Sequence, residues 1–229
     1  MKYMVFSDVH GNLPALEAAL ADAGQVDGYI CLGDTVDYGP WSNECVDRVL
    51  ALSNVVYVRG NHEDDFLKGS HTGDNVVANA FFAECLPKFD RFEQIRNLPE
   101  TFELGGFTFR HTIENRNIYP DSDVKLDNNY AIGHSHHQFW LEQPPFRLYN
   151  TGSIGQNRKY LNVINYLLFT PGETAADGQF ELRALTYDPD VVLDEMRKQG
   201  YSETCLEYYE GKARLQGEPM PPTQPATIL

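Results

Sequence analysis

The sequence has little positive charge. Eighteen Lys and Arg face 33 Asp and Glu, for a net charge of -15. An acidic surface repels a phosphate backbone, which disfavours long nucleic acids as partners and counts against a nuclease acting on polymeric DNA or RNA. A small phosphoester held through metal remains compatible with that charge. Long apolar runs are missing as well, and none approaches the ~18 or more residues of a membrane-spanning helix. No secretory pattern precedes the first apolar stretch. Cysteine is sparse: Cys31, Cys45, Cys85 and Cys205 are scattered, with no CxxC pair. They read as reduced thiols of a cytoplasmic protein, and neither a disulfide framework nor a zinc–thiolate site is expected. The sequence carries no repeats, low-complexity tracts or clear interdomain linker.

What is present fits one folded unit. Apolar residues make up 42% of the chain and aromatics 12%, and 229 residues suffice for one sizeable core. A single domain over residues 1–229 is expected, with a loosely ordered or surface-draped tail, 217–229, that holds four prolines. Lys2–Phe6, Gly28–Leu32 and Asn54–Val58 read as short buried strands. Between them, Leu13–Ala23 and Asn43–Leu52 read as helices, the second with Ser42 as its N-cap. Alternation at this spacing implies a parallel α/β layer. Residues 64–98 read as mostly helical, with Pro87 separating two helices. Thr101–Arg110 reads as a hairpin around Gly105-Gly106. Further strands are expected near 129–132, 139–141, 146–149, 163–170 and 180–185, and helices over Asp188–Gln199 and Glu203–Lys212. The pattern predicts two mixed sheets packed face to face, helices outside, and ligands beyond the strand ends.

The chemistry-bearing residues fall at those strand ends. SDVHGN follows the first strand, GDTVDYGP the second, RGNHE the third, FRHT the hairpin and GHSH the strand near 130. They contribute Asp8, His10, Asp34, Asn61, His62, His111, His134 and His136, which include five of the seven histidines. His71 and His137 are left over as ordinary surface or packing residues. Side chains two apart on an extended backbone share a side, so Asp8 with His10, and His134 with His136, are expected to converge in that way. A carboxylate beside imidazoles suits Mn, Fe, Zn or Ni. Alone, Asp-x-His reads as a strand end with Asp8 capping the next helix. The four later segments shift that reading.

Together the segments resemble the calcineurin-like metallophosphoesterase superfamily. Its pattern is Asp-x-His, Gly-Asp-x-x-Asp, Gly-Asn-His-Asp/Glu, His and Gly-His-x-His, and all five elements occur in order between residues 8 and 136. YNTGSIGQNR and the C-terminal helices resemble the small prokaryotic YfcE-like phosphodiesterase branch. The resemblance implies a four-layered α/β/β/α sandwich. It implies metal-dependent hydrolysis of small phosphoesters, foremost by a phosphodiesterase using metal-activated water. A dinucleoside polyphosphate hydrolase is the alternative on the same fold, and a metal-binding regulator without turnover is the alternative of another class.

The resemblance also assigns roles. Asp8, His10 and His136 would hold one divalent ion, and Asn61, His111 and His134 a second, with Asp34 bridging. Mixed nitrogen and oxygen donors favour Mn or Fe. His62 would protonate the leaving oxygen and Glu63 would orient it. Asp37 would steady a histidine ligand, and Arg59 and Arg158 would touch substrate phosphate. Three positions depart from the pattern. Thr112 follows His111 where glycine is usual, and Thr151 replaces a loop proline. Tyr38 stands where phosphoprotein phosphatases and symmetrical dinucleoside tetraphosphatases carry an arginine, which counts against both. No readable motif encodes the substrate or the oligomeric state.

Overall fold

The computed structural model describes residues 1–71 and 73–226. The chain runs β1 (Tyr3–Phe6), α1 (Leu13–Ala23), β2 (Gly28–Cys31), α2 (Ser42–Leu50), β3 (Val55–Tyr57), α3 (Asn61–Lys68), α4 (Val76–Cys85) and α5 (Phe92–Arg96). The second half is β4 (Thr101–Leu104), β5 (Phe107–Arg110), β6 (Tyr130–Ile132), β7 (Gln138–Gln143), β8 (Phe146–Thr151), β9 (Val163–Thr170), β10 (Gln179–Thr186), α6 (Asp190–Lys198) and α7 (Glu203–Glu210). One five-stranded sheet has the order β10-β9-β1-β2-β3, and the other β4-β5-β6-β8-β7. The β1, β2 and β3 strands are parallel, β9 joins β1 antiparallel, and β10 pairs antiparallel with β9. In the second sheet β6 lies parallel to both β5 and β8, and β4 and β7 close its two edges antiparallel.

The central strands are apolar on both faces because both faces are covered. Val5, Ile30, Leu167 and Phe169 point between the sheets, where they meet Phe107, Phe109 and Ala131. Their neighbours Met4, Phe6, Cys31, Ile164 and Tyr166 point the other way, onto Leu16, Ala19 and Leu20 of α1. Burying each large apolar side chain contributes about 1.5–3 kcal/mol. Residues from α2 to α7 share a further cluster that includes Val46, Phe66, Phe81, Ile95, Val192 and Tyr209. Over the outer face of the second sheet lie Ile118, Val124 and Leu126, from the irregular segment before β6.

Local details refine the sequence reading. The β4–β5 hairpin turns at Gly105 and Gly106, whose φ values of 58° and 75° are left-handed. Asn12, not Asp8, caps α1, accepting from Ala15 N at 3.1 Å. The α2 helix begins at Ser42 with Trp41 in the cap position. The Ser42 hydroxyl instead accepts from Asp37 N at 3.0 Å, which ties α2 to the loop after β2. Pro87 sits in a short 3-10 turn, Leu86–Lys88, between α4 and α5. All four cysteines are buried and unbridged. In the tail, Pro221, Pro222 and Thr223 line a pocket together with Trp140, Tyr149 and Phe180, and Ala226 N donates to Trp140 O at 2.7 Å. Its last part, 227–229, lies outside the described residues. Among those described, no helix is long and apolar enough to cross a membrane.

Candidate metal centre

The loops after β1, β2, β3, β5 and β6 meet at one end of the two sheets. They do not converge by strand alternation, as the sequence suggested. Asp8, His10, Asp34, His134 and His136 have φ values of 55°, 49°, 52°, 68° and 55°, all left-handed. Asp37 and Tyr38 share that conformation, at 71° and 60°. Aspartate and histidine are among the few non-glycine residues that tolerate it. Backbone hydrogen bonds lock the loops together. Asp8 N donates to Gly33 O at 3.0 Å, His10 N to Asp34 O at 3.0 Å, and Gly133 N to His111 O at 3.0 Å.

Each donor atom is aimed by its other bonds. Asp8 Oδ2 accepts from Ser7 Oγ and, at 3.0 Å, from His134 N. The Thr151 hydroxyl lies 2.6 Å from Ser7 Oγ, so the residue that replaces the loop proline helps hold Asp8. Asp8 Oδ1 has no hydrogen-bond partner among the described residues and lies 3.2 Å from His136 Nε2. His10 Nδ1 donates to Val36 O at 3.1 Å, which leaves the Nε2 lone pair 3.1 Å from His136 Nε2. His111 repeats the device, with Nδ1 donating to Leu32 O at 2.8 Å. Its Nε2 lies 3.0 Å from Asn61 Oδ1, 3.1 Å from His134 Nδ1 and 3.0 Å from Asp34 Oδ2. Thr112, beside it, donates its hydroxyl to Arg116 O at 2.5 Å.

The donors form groups whose atoms lie within 4.8 Å of one another: Asp8–His10–His136, Asp34–His111–His134 and His10–Asp34–His62. Buried imidazole nitrogens facing each other and an unbonded carboxylate oxygen are the arrangement a divalent cation would resolve, so the residues fit metal. Burial, then the charges of His62 and His136, hold the His10 pKa well below its usual value. Burial and His111 push His134 down to about 4. Neutral imidazole is the form that ligates metal. His111 goes the other way: burial is outweighed by the Asp34 carboxylate, which raises its pKa to about 9. Burial opposes ionisation of Asp34, but His111 and His62 hold its carboxyl well below the usual range.

His62 and Glu63 are arranged differently from the sequence reading. His62 Nδ1 lies 2.8 Å from Asp37 Oδ2, and its Nε2 faces Asp34 Oδ2 at 4.0 Å. Burial disfavours charge on His62, yet Asp34 and Asp37 raise its pKa to about 10. Glu63 does not orient His62. Its Oε2 accepts from Asp34 N and Gly60 N, each at 2.8 Å, and its Oε1 from Thr35 N at 2.7 Å and Tyr57 OH at 3.0 Å. The reason is position: Glu63 is third in α3, where a carboxylate folds back onto the cap. Asp37, expected to support a ligand, is the group that orients His62.

Four further residues complete the surroundings. Tyr38 packs edge-on against His10 at 4.9 Å and His62 at 5.5 Å. His71, read as an ordinary surface or packing histidine, stacks on His62 at 5.9 Å with Nδ1 2.9 Å from Asp65 Oδ2. No motif marks it, because only the return of the α3–α4 connection brings it back. Arg59 lines a cleft with Asn61 and His111, but its charge is met by Asp64 at 3.0 Å and Glu100 at 3.2 Å. Arg158 N donates to His136 O at 2.9 Å, and its guanidinium lies over the Tyr119 ring at 5.4 Å.

A family model described as calcineurin-like phosphoesterase matches residues 1–193. An uncharacterized protein of Methanocaldococcus jannaschii is 29% identical over 228 residues, covering 85% of this chain and 91% of its own length. A metallophosphoesterase from Sphaerobacter thermophilus superposes with TM-score 0.74 at 25% identity, covering 92% of this chain and 99% of that one. A hypothetical protein from Pyrococcus horikoshii superposes with TM-score 0.72 at 18% identity, covering 91% and 97%, and shows the same fold.

Proposed function

The chain belongs to the calcineurin-like phosphoesterase family, and from that premise we propose that it is a phosphodiesterase of small molecules working through a dinuclear metal centre. The observation that carries the reading is the place of Asp34. Its Oδ2 lies 3.9 Å from His10 Nε2 and 3.0 Å from His111 Nε2, between the two donor groups, where a bridging carboxylate belongs. Asp8, His10 and His136 would hold one ion, Asn61, His111 and His134 the other. Mn or Fe suits these mixed donors. Bound there, two divalent ions supply charge for an in-line displacement and a water nucleophilic at neutral pH.

The chain's own residues do the rest. Asp37 fixes His62 by its Nδ1, so that Nε2 faces the centre and carries a proton toward a leaving oxygen. Tyr38 walls the same space. Glu63 holds the Asp34 and Gly60 backbones and thereby sets the bridge. Four buried, unbridged thiols support a reducing compartment, the cytoplasm. The test combines elemental analysis after loading with Mn, Fe, Zn or Ni and a panel of chromogenic mono- and diesters, nucleotides and dinucleoside polyphosphates. Two ions per chain and fastest turnover of a diester are expected. Uptake limited to one ion, or a panel inert with every metal, would falsify the reading.

A further inference from the structure

Lys212 takes no part in the centre described above, yet its contacts lead there. It follows α7, donates to Asn157 O at 2.8 Å and Gln156 Oε1 at 3.3 Å, and holds Nζ 5.1 Å from the Tyr208 ring. Its cationic neighbour is Arg158. Neither side chain is ion-paired among the described residues. That is an unusual state in a chain with 33 acidic residues against 18 basic ones. Burial, and then the charge of Arg158, push the Lys212 pKa down to about 8. Two adjacent cations without a carboxylate repel each other until an anion joins them.

The contacts trace a closed circuit that starts and ends at the first donor group. His10 meets Tyr38 at 4.9 Å, Tyr38 meets Tyr208 at 6.2 Å, and Lys212 sits over Tyr208 at 5.1 Å. Lys212 reaches Asn157 O at 2.8 Å, and the next residue, Arg158, is bonded through its backbone to His136 O at 2.9 Å. His136 Nε2 returns to within 3.1 Å of His10 Nε2. Lys212 thus reaches the wall at Tyr208, and the charge of Arg158 acts on both Tyr38 and Tyr208, so the two cations share the tyrosine wall that borders the first donor group.

We propose that Lys212 and Arg158, beside the tyrosine wall of Tyr38 and Tyr208, form a subsite for a second phosphoryl group, so that the enzyme prefers phosphoesters bearing a phosphate beyond the scissile one. The guanidinium offers a planar fork of donors and the ammonium a point charge, a pairing that suits a phosphate dianion. The aromatic faces offer a surface for whatever links the two phosphates, a nucleoside being one such group. The proposal rests on the phosphodiesterase reading of the metal centre.

Its test uses two dinucleotides that differ by one terminal phosphate, ApA and pApA, with the Mn-loaded full chain. Wild type should show the higher kcat/KM on pApA. In Lys212→Gln and in Arg158→Gln that preference should fall about tenfold, the value of one charge-assisted hydrogen bond. Arg158 is exposed and glutamine keeps a donor at 212, so both variants are expected to fold. A preference unchanged in both variants overturns the subsite. Calorimetry gives a readout free of turnover: both variants should lose about tenfold more affinity for pyrophosphate than for inorganic phosphate. Equal loss for the two anions would place the cations at the scissile phosphate and also overturn the proposal. If wild type cleaves neither dinucleotide while the pyrophosphate result holds, the phosphodiesterase reading fails and the anion subsite stands.

Discussion

Substituting Glu63→Gln separates a scaffold from a catalytic partner. Each carboxylate oxygen of Glu63 accepts two hydrogen bonds: Oε2 from Asp34 N and Gly60 N, Oε1 from Thr35 N and Tyr57 OH. The residue is fully buried, so water cannot replace them. Glutamine puts an amide NH2 where one of those oxygens stood: at Oε2 it faces two backbone N–H donors, at Oε1 only Thr35 N–H, because the Tyr57 hydroxyl can turn to accept. At ~1.5–3 kcal/mol for each hydrogen bond to a charged group, one to two lost bonds cost about 1.5–6 kcal/mol. That is a large part of the ~5–15 kcal/mol by which a domain is ordinarily stable. With a slope near ~3 kcal/mol per molar urea, the unfolding midpoint should fall by about 0.5–2 M. Metal uptake should weaken in parallel, because the Asp34 backbone loses its anchor. Urea titration followed by fluorescence, with metal content measured on the folded variant, reads both. An unmoved midpoint together with collapsed turnover would refute this account and restore Glu63 to the side of His62.

Two more substitutions probe the centre itself. His62→Asn should keep both ions yet lower kcat by ~10²–10⁴ on an alkyl phosphate ester, whose alkoxide needs a proton, and by much less on a p-nitrophenyl ester; equal losses on the two esters would mean that His62 is not an acid. In Gly133→Ala the new methyl would collide with Ser7 Oγ and Asp8 Oδ2, so a stability loss of about 1–3 kcal/mol is expected. The ion held by Asp8 should be lost ahead of the other, and full two-ion uptake by that variant would show that the collision is absorbed elsewhere.

Much of this organisation is legible in the sequence. The short apolar strands announce themselves because β1, β2 and β9 are buried on both faces and so read as unbroken apolar runs. The candidate ligands announce themselves as Asp and His at strand ends. What escapes is the direction of individual side chains. Strand alternation suggested how Asp8 and His10 would meet, but the backbone leaves the strand conformation at Asp8 and the left-handed turns do that work. Glu63 stands beside His62 in sequence and points away from it, because on a helix adjacent residues do not face each other. Asp37, a full 25 residues away, is the one that arrives. His71 depends on the path of a connection that no local pattern encodes, and Lys212 on the docking of the last helix.

The left-handed loops have an evolutionary consequence. Asp8, His10, Asp34, His134 and His136 all occupy backbone conformations that glycine would adopt without strain. At roughly 1 kcal/mol per residue, these five positions together represent a strain comparable to the lower end of a domain's net stability. Replacing any of them by glycine would relax the main chain and delete a donor atom in the same step. With these side chains holding metal as proposed, selection for a sturdier fold and selection for catalysis would pull in opposite directions at the same residues. A lineage that no longer needed the ions could shed these side chains, keep the sandwich and emerge more stable, surviving as a scaffold on the architecture of an enzyme.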